Sequence, residues 1–98
     1  MNQKLIEIVQ QGNYSLLDVR TPAEFAVAHL PGAIHVPVDL LPFNLSLIHE
    51  LPRPIIIYCH SGIRSGLAVE FLQQHGIEGS MNGGGLSQLL HLMETHHE

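Results

Sequence analysis

The run Ile55-Ile56-Ile57-Tyr58 leads straight into the only cysteine of the chain, Cys59. Such a run has no polar face, so it suits a strand buried on both sides, as in a parallel sheet. A short loop follows, and a helical pattern begins at about Arg64. That pattern covers Ser65 to His75, with Leu67, Ala68, Phe71 and Leu72 as its inner stripe and Gly76 at the C′ position. Parallel strands cannot be joined by tight hairpins; they need crossover helices. This strand–loop–helix unit therefore constrains the chain to an α/β architecture.

The flanking sequence alternates in the same way. Lys4 to Gln11 reads as a short amphipathic helix with Leu5, Ile8 and Val9 on one face, ended by Gly12-Asn13. Ser15 to Val19 is a short apolar strand. Thr21-Pro22-Ala23-Glu24 carries three helix-start signals: Thr at the N-cap, Pro at the first position and Glu at the third. That helix carries Phe25 and Ala28 and stops before Pro31-Gly32. Ala33 to Val36 reads as a second strand, and Asp39 to His49 as a helix broken by Pro42. Gly79 to Met81 is a short strand, Gly83-Gly84-Gly85 a turn, and Leu86 to Met93 a last helix. Thr95-His96-His97-Glu98 reads as a frayed tail. The expectation is one domain over residues 1–98. It has a small, mostly parallel sheet of four to five strands with helices on both faces.

Composition removes several classes of function. A net charge of −5 with only four Lys and Arg argues against nucleic acid or an anionic membrane as partner. No apolar run approaches membrane-spanning length. One cysteine cannot form an intrachain disulfide or a CxxC pair. Eight histidines invite a metal reading, but none of them has HExxH-like spacing, so no metal site is expected. The glycine triplet is not a phosphate loop, because no Gly-Lys-Ser/Thr follows it. The start, Met1-Asn2-Gln3-Lys4, lacks the apolar core of a secretory signal. A cytoplasmic, reducing location is the expectation, and a free thiol is stable there.

Cys59 sits where chemistry is favoured. In open α/β sheets, active sites lie beyond the carboxyl ends of the strands. A thiol at a strand-to-helix junction meets the positive end of a helix dipole and several unpaired N–H groups. Both favour the thiolate, which is the reactive form. Ser61 and Gly62 are small enough for the loop His60-Ser61-Gly62-Ile63 to curl round the sulfur as an anion-binding nest. Arg64 closes the loop with a fork of donors. Ser65 ties the loop to the first helical turn. Asp18 and Arg20 follow a buried strand and belong near the same face. Asp18 suits a role in organising loop backbone. Arg20 can either pair with Glu24 or help draw in anionic donors. His29 and His35 flank a turn and suit scaffold hydrogen bonds.

These motifs resemble those of the rhodanese family of sulfurtransferases. Leu17-Asp18-Val19-Arg20 with Glu24-Phe25 is similar to that family's first motif, and His29-Leu30-Pro31-Gly32-Ala33-Ile34-His35-Val36-Pro37 to its second. Cys59 to Ser65 is similar to its active-site loop, and Asn82-Gly83-Gly84 to a glycine turn near its end. The resemblance implies a Cys59 persulfide, formed on a donor such as thiosulfate and discharged to cyanide or a thiol, including a protein thiol. It implies no metal or organic cofactor. His60, Ser61, Gly62, Ile63, Arg64 and Ser65 would cradle the persulfide and bind substrate. Phosphatases and arsenate reductases of related fold carry one more residue between cysteine and arginine, so the smaller ring favours sulfur. A non-catalytic binding module is the other rival, and such modules commonly lose the cysteine. Position 60 holds His where several members hold Arg, Lys or Gly, which weakens attraction for thiosulfate relative to a permanent cation.

Overall fold

The computed structural model describes residues 2–96. It contains α1 (Gln3–Gln11), β1 (Ser15–Asp18), α2 (Pro22–Val27), β2 (Ile34–His35), a 3₁₀ segment (Val38–Phe43), α3 (Leu45–His49), β3 (Ile55–Cys59), α4 (Ile63–Gln74), β4 (Ser80–Gly85) and α5 (Leu86–His96). The four strands form one sheet in the order β2-β1-β3-β4, and every pairing is parallel. The expected α/β sheet with helices on both faces is what the chain forms. Among the described residues, no helix is long and apolar enough to cross a membrane.

β3 is central because it has no polar face: all five of its residues are buried. Its period-two alternation divides the core. Ile55, Ile57 and Cys59 join Leu17, Val19, Val36, Ala68, Leu72 and Ile77 on one side. Ile56 and Tyr58 join Leu5, Val9, Leu16, Leu30 and Leu89 on the other. Each fully buried isoleucine contributes about 1.5–3 kcal/mol through removal from water. The cysteine therefore points to the side covered by α4, and the α1–α5 pair covers the opposite side.

Several elements depart from the sequence reading. The stripe of α4 keeps Ala68 and Leu72 buried and Phe71 half-buried, but Leu67 is 59% exposed. Leu67 sits one turn beyond Ile63, which is exposed as well. On α1 the buried set is Leu5, Ile6 and Val9, with Ile8 half-buried. α2 ends at Val27, and Ala28 turns extended, which frees its carbonyl to accept from Arg20 at 2.6 Å. β2 shortens to Ile34–His35. The stretch expected to be interrupted by Pro42 is divided at Asn44, into a 3₁₀ segment that contains Pro42 and α3 after it. Thr95 and His96 belong to α5, and His97 and Glu98 lie outside the described residues.

The largest departure is the glycine triplet. It forms the end of β4, not a turn, with Gly84 beside Tyr58 and Gly85 beside Cys59. Backbone pairing needs no side chain, so glycines with low strand propensity are still recruited by β3. The register slips between Ile57 and Tyr58, leaving Gly83 as the extra residue of a bulge. That bulge carries the strand end up against the loop after Cys59.

Candidate active site

The sulfur of Cys59 takes the place of a helix cap. α4 begins after Gly62, which has no side-chain cap bond and adopts φ 95°. The first N–H groups of any helix lack intrahelical partners. Here the Ser65 N–H donates to Cys59 Sγ at 3.4 Å, and the Gly62 N–H donates to it at 3.0 Å. Ser65 Oγ lies 3.4 Å from the same sulfur. Burial pushes the Cys59 thiol up, but the Ser65 hydroxyl and the N–H groups of Ser65, Ser61 and Gly62 outweigh it. The net direction is below the ordinary thiol value. Cys59 has no exposed surface.

Asn82 fixes the loop from the β4 side. Its Oδ1 accepts from the Ser65 hydroxyl at 2.7 Å and from the Gly84 N–H at 2.9 Å. Its Nδ2 donates to the Gly62 carbonyl at 2.9 Å. One amide thus ties together the loop, the start of α4 and the bulge. The sequence reading treated Asn82 only as part of a glycine motif. A polar residue directly before three glycines at a strand end is the signal that could have singled it out.

Gly85 sets how closely the loop lies on the sheet. A Cβ at this position would overlap the His60 carbonyl oxygen. Gly85→Ala must therefore push the loop off β4 and misalign the donors round Cys59. Overpacking of this kind costs about 1–3 kcal/mol. The expected result is a folded protein whose Cys59 is alkylated at a rate lower by at least about tenfold. Iodoacetamide labelling alongside thermal melting checks it; wild-type rates in Gly85→Ala would show that the loop position does not matter.

The remaining candidates fall into two ion pairs. Asp18, fully buried, accepts from the Arg20 backbone N–H at 2.9 Å and from Arg20 Nε and Nη2 at 3.0 and 2.8 Å. Burial pushes the Asp18 carboxyl up, yet the bonds from Arg20 and Tyr58 hold it below its ordinary value. Arg20 is itself 5% exposed and lies 5.6 Å from the centre of the Tyr58 ring. It does not pair with Glu24, because a carboxylate with no solvent, two residues back on β1, takes its charge. Asp18 accordingly organises the segment after β1, and no hydrogen bond joins it to the loop after Cys59 among the described residues.

Arg64 pairs with Glu24. Its Nη1 and Nη2 donate to the two carboxylate oxygens at 2.8 and 3.0 Å, with each side chain about one-third exposed, 31% and 32%. The fork of donors that closes the loop is thus held by Glu24. Glu24 is also the third residue of the capping box at Thr21. The Arg64 guanidinium and the Thr21 donors pull its carboxyl down to about 2. His60 and Ser61 are exposed at the rim, and Ile63 is 72% exposed. His29 Nδ1 meets the Phe25 carbonyl at 2.9 Å and His35 Nε2 the Arg20 carbonyl at 2.8 Å, both scaffold bonds.

A buried cysteine at the end of a central parallel strand, cradled by the N–H groups of the helix that follows, defines a cysteine-centred α/β domain. The model of the rhodanese-like domain matches residues 1–90, and the chain belongs to that family. It is 44% identical over 63 residues to a sulfurtransferase of Allochromatium vinosum, a match covering 62% of this chain and 56% of that protein. It is 34% identical over 90 residues to the thiosulfate:glutathione sulfurtransferase of Saccharomyces cerevisiae, covering 71% and 63%. The matches thus span somewhat over half the length of these relatives. Among solved structures, the human single-domain sulfurtransferase TSTD1 superimposes with a TM-score of 0.69 at 25% identity, covering 90% of each chain. The relatives named sulfurtransferase thus share this rhodanese-like domain with the chain.

Proposed function

We propose that this chain moves a sulfane sulfur from thiosulfate or a related donor to a thiol or cyanide acceptor through a persulfide on Cys59. The Cys59 thiolate attacks the outer sulfur of the donor. The donor S–S bond breaks, and with thiosulfate the bonding pair leaves on sulfite. The enzyme then carries Cys59-S-S⁻. A second thiophile attacks the terminal sulfur, and the Cys59 thiolate is released. Splitting one transfer into two displacements is the gain of covalent catalysis. The domain would work in the cytoplasm, without a cofactor, on small-molecule or protein-borne sulfur.

One observation carries the reading: the Gly62 and Ser65 N–H groups converge on Cys59 Sγ at 3.0 and 3.4 Å. Donors fixed before the reaction stabilise charge without reorganisation. They favour the attacking thiolate in the first step and the leaving thiolate in the second. Phosphoryl transfer fits less well, since Glu24 occupies the arginine fork that a phosphoryl group would need. Mass spectrometry after thiosulfate treatment tests the proposal. The wild-type protein is expected to gain one sulfur atom, removable by cyanide, and Cys59→Ala is the matched control. A wild-type mass that never changes sinks it.

A further inference from the structure

The chain has four permanent side-chain cations, and none is left free at the mouth of the Cys59 loop. Arg20 is buried against Asp18. Arg53 precedes β3, at the opposite end of that strand from Cys59, and donates to the carbonyls of His49, Leu51 and Glu78. Lys4 lies on α1, whose apolar side packs on the sheet face away from α4. Arg64 alone stands at the loop, and both of its arms are taken by Glu24.

The grip of Glu24 is prepared in advance. Its Oε1 also accepts from the Thr21 N–H at 2.9 Å and the Thr21 hydroxyl at 3.1 Å. The carboxylate is therefore fixed by the helix cap before Arg64 reaches it, so little side-chain freedom is lost in forming the pair. A doubly charged donor approaching Cys59 meets a neutral pair inside a protein of net charge −5. Exposed apolar side chains flank the pair, beside the exposed His60 and Ser61 of the loop rim. Ile63 and Leu67, one turn apart on α4, are 72% and 59% exposed, and Val27, one turn beyond Glu24 on α2, is 88% exposed.

We infer that Glu24 is a positioning residue that sets donor specificity. By holding Arg64 in a neutral pair, it turns the site away from small dianions and toward sulfane sulfur carried on an apolar group of at most one charge. The inference rests on the Cys59 persulfide reading above.

Two donors separate the classes: thiosulfate, a dianion, and benzenethiosulfonate, a monoanion with an apolar ring. In the second, Cys59 takes the outer sulfur and benzenesulfinate leaves with the bonding pair. With cyanide as acceptor and thiocyanate as product, Glu24→Gln is expected to lower KM for thiosulfate about tenfold. KM for benzenethiosulfonate should change by less than about threefold, and kcat should stay nearly constant for both. Glutamine still completes a capping box, so a mere loss of the helix cap would not produce this split. Adding Arg64→Ala to Glu24→Gln should erase the gain.

An independent measurement uses the wild-type protein. Between about 0.01 and about 0.15 M salt the Debye length shrinks from about 30 to about 8 Å. The kcat/KM for thiosulfate should stay level or rise over this range, as repulsion from the acidic protein is screened. An arginine free to take the dianion would make it fall, and a fall overturns the inference even if Glu24→Gln does not fold. An unchanged ratio of the two donors in folded Glu24→Gln, or a higher thiosulfate KM, also overturns it. In those cases both donors still leave a persulfide on Cys59, so the sulfur-transfer reading survives. Absence of a persulfide with either donor removes both.

Discussion

Replacing Cys59 by serine is expected to lower sulfur transfer by at least about 10⁴-fold while leaving the fold intact. The hydroxyl fits the same space and can accept the same bonds from the Gly62 and Ser65 N–H groups. Cysteine is special in this setting through its acidity. A thiol begins near pH 8.5, whereas a serine hydroxyl does not ionise in the accessible range. Since the cradle holds the thiol below its ordinary value, wild-type reactivity should rise with pH and level off at a lower pH than that of a free cysteine thiol. Iodoacetamide alkylation across pH reads that plateau, and thiocyanate production reads turnover. More than about 1% of wild-type turnover in Cys59→Ser would mean that another group carries the sulfur.

The largest effect on stability is expected from Asp18→Ala, at about 3–5 kcal/mol. The substitution removes the carboxylate that pairs with Arg20 among the described residues and leaves a guanidinium that is 5% exposed with its charge unmatched. A domain of this size has about 5–15 kcal/mol in total, so the loss takes a large part of it. The melting temperature should fall by at least about 12 °C. The pair also fixes a pH dependence. Asp18 and Glu24 are both held below their ordinary values, so in the folded state they resist protonation. Their contributions are complete above about pH 5 and are lost as acid approaches the lowered values, about 2 for Glu24. Wild-type melting temperature should be level above about pH 5 and drop below about pH 4, less steeply in Asp18→Ala. A melting temperature within about 3 °C of wild type in that variant would show that Arg20 finds another partner or reaches water.

Local signals in the sequence carried most of the fold. The unbroken apolar run of β3, the capping box at Thr21 and the glycine after α4 each act within a few residues, so each is readable without tertiary contacts. The loop from Cys59 to Ser65 was readable for the same reason, since a thiol next to helix N–H groups is a short-range arrangement. Pairings across the chain were not. Glu24 and Arg64 lie 40 positions apart, and nothing near either one marks the other as its partner. Glutamate at position 24 already had a sufficient local role in the cap, which hid its second one. For Arg20 the sequence offered a pair with Glu24, four residues on, or a role toward anionic donors, and the partner is Asp18, two residues back. Burial decides for Asp18, and burial is a property of the packed sheet. Gly83 to Gly85 read as a turn because glycine carries no strand signal. Strand pairing with β3 is supplied from outside the segment.

The glycine end of β4 also limits how the chain can change by mutation. Gly85 backs the loop with bare main chain, and Gly62 comes within reach of Gly84 in the same way. Glycine is already the smallest residue, so any single exchange at these positions can only crowd the ring around Cys59. Enlarging it calls for a residue inserted into the loop, a rarer event than a base change. Lineages that depart from this architecture toward bulkier transferred groups are therefore expected to differ by indels at the loop, with accumulated point changes around it following later.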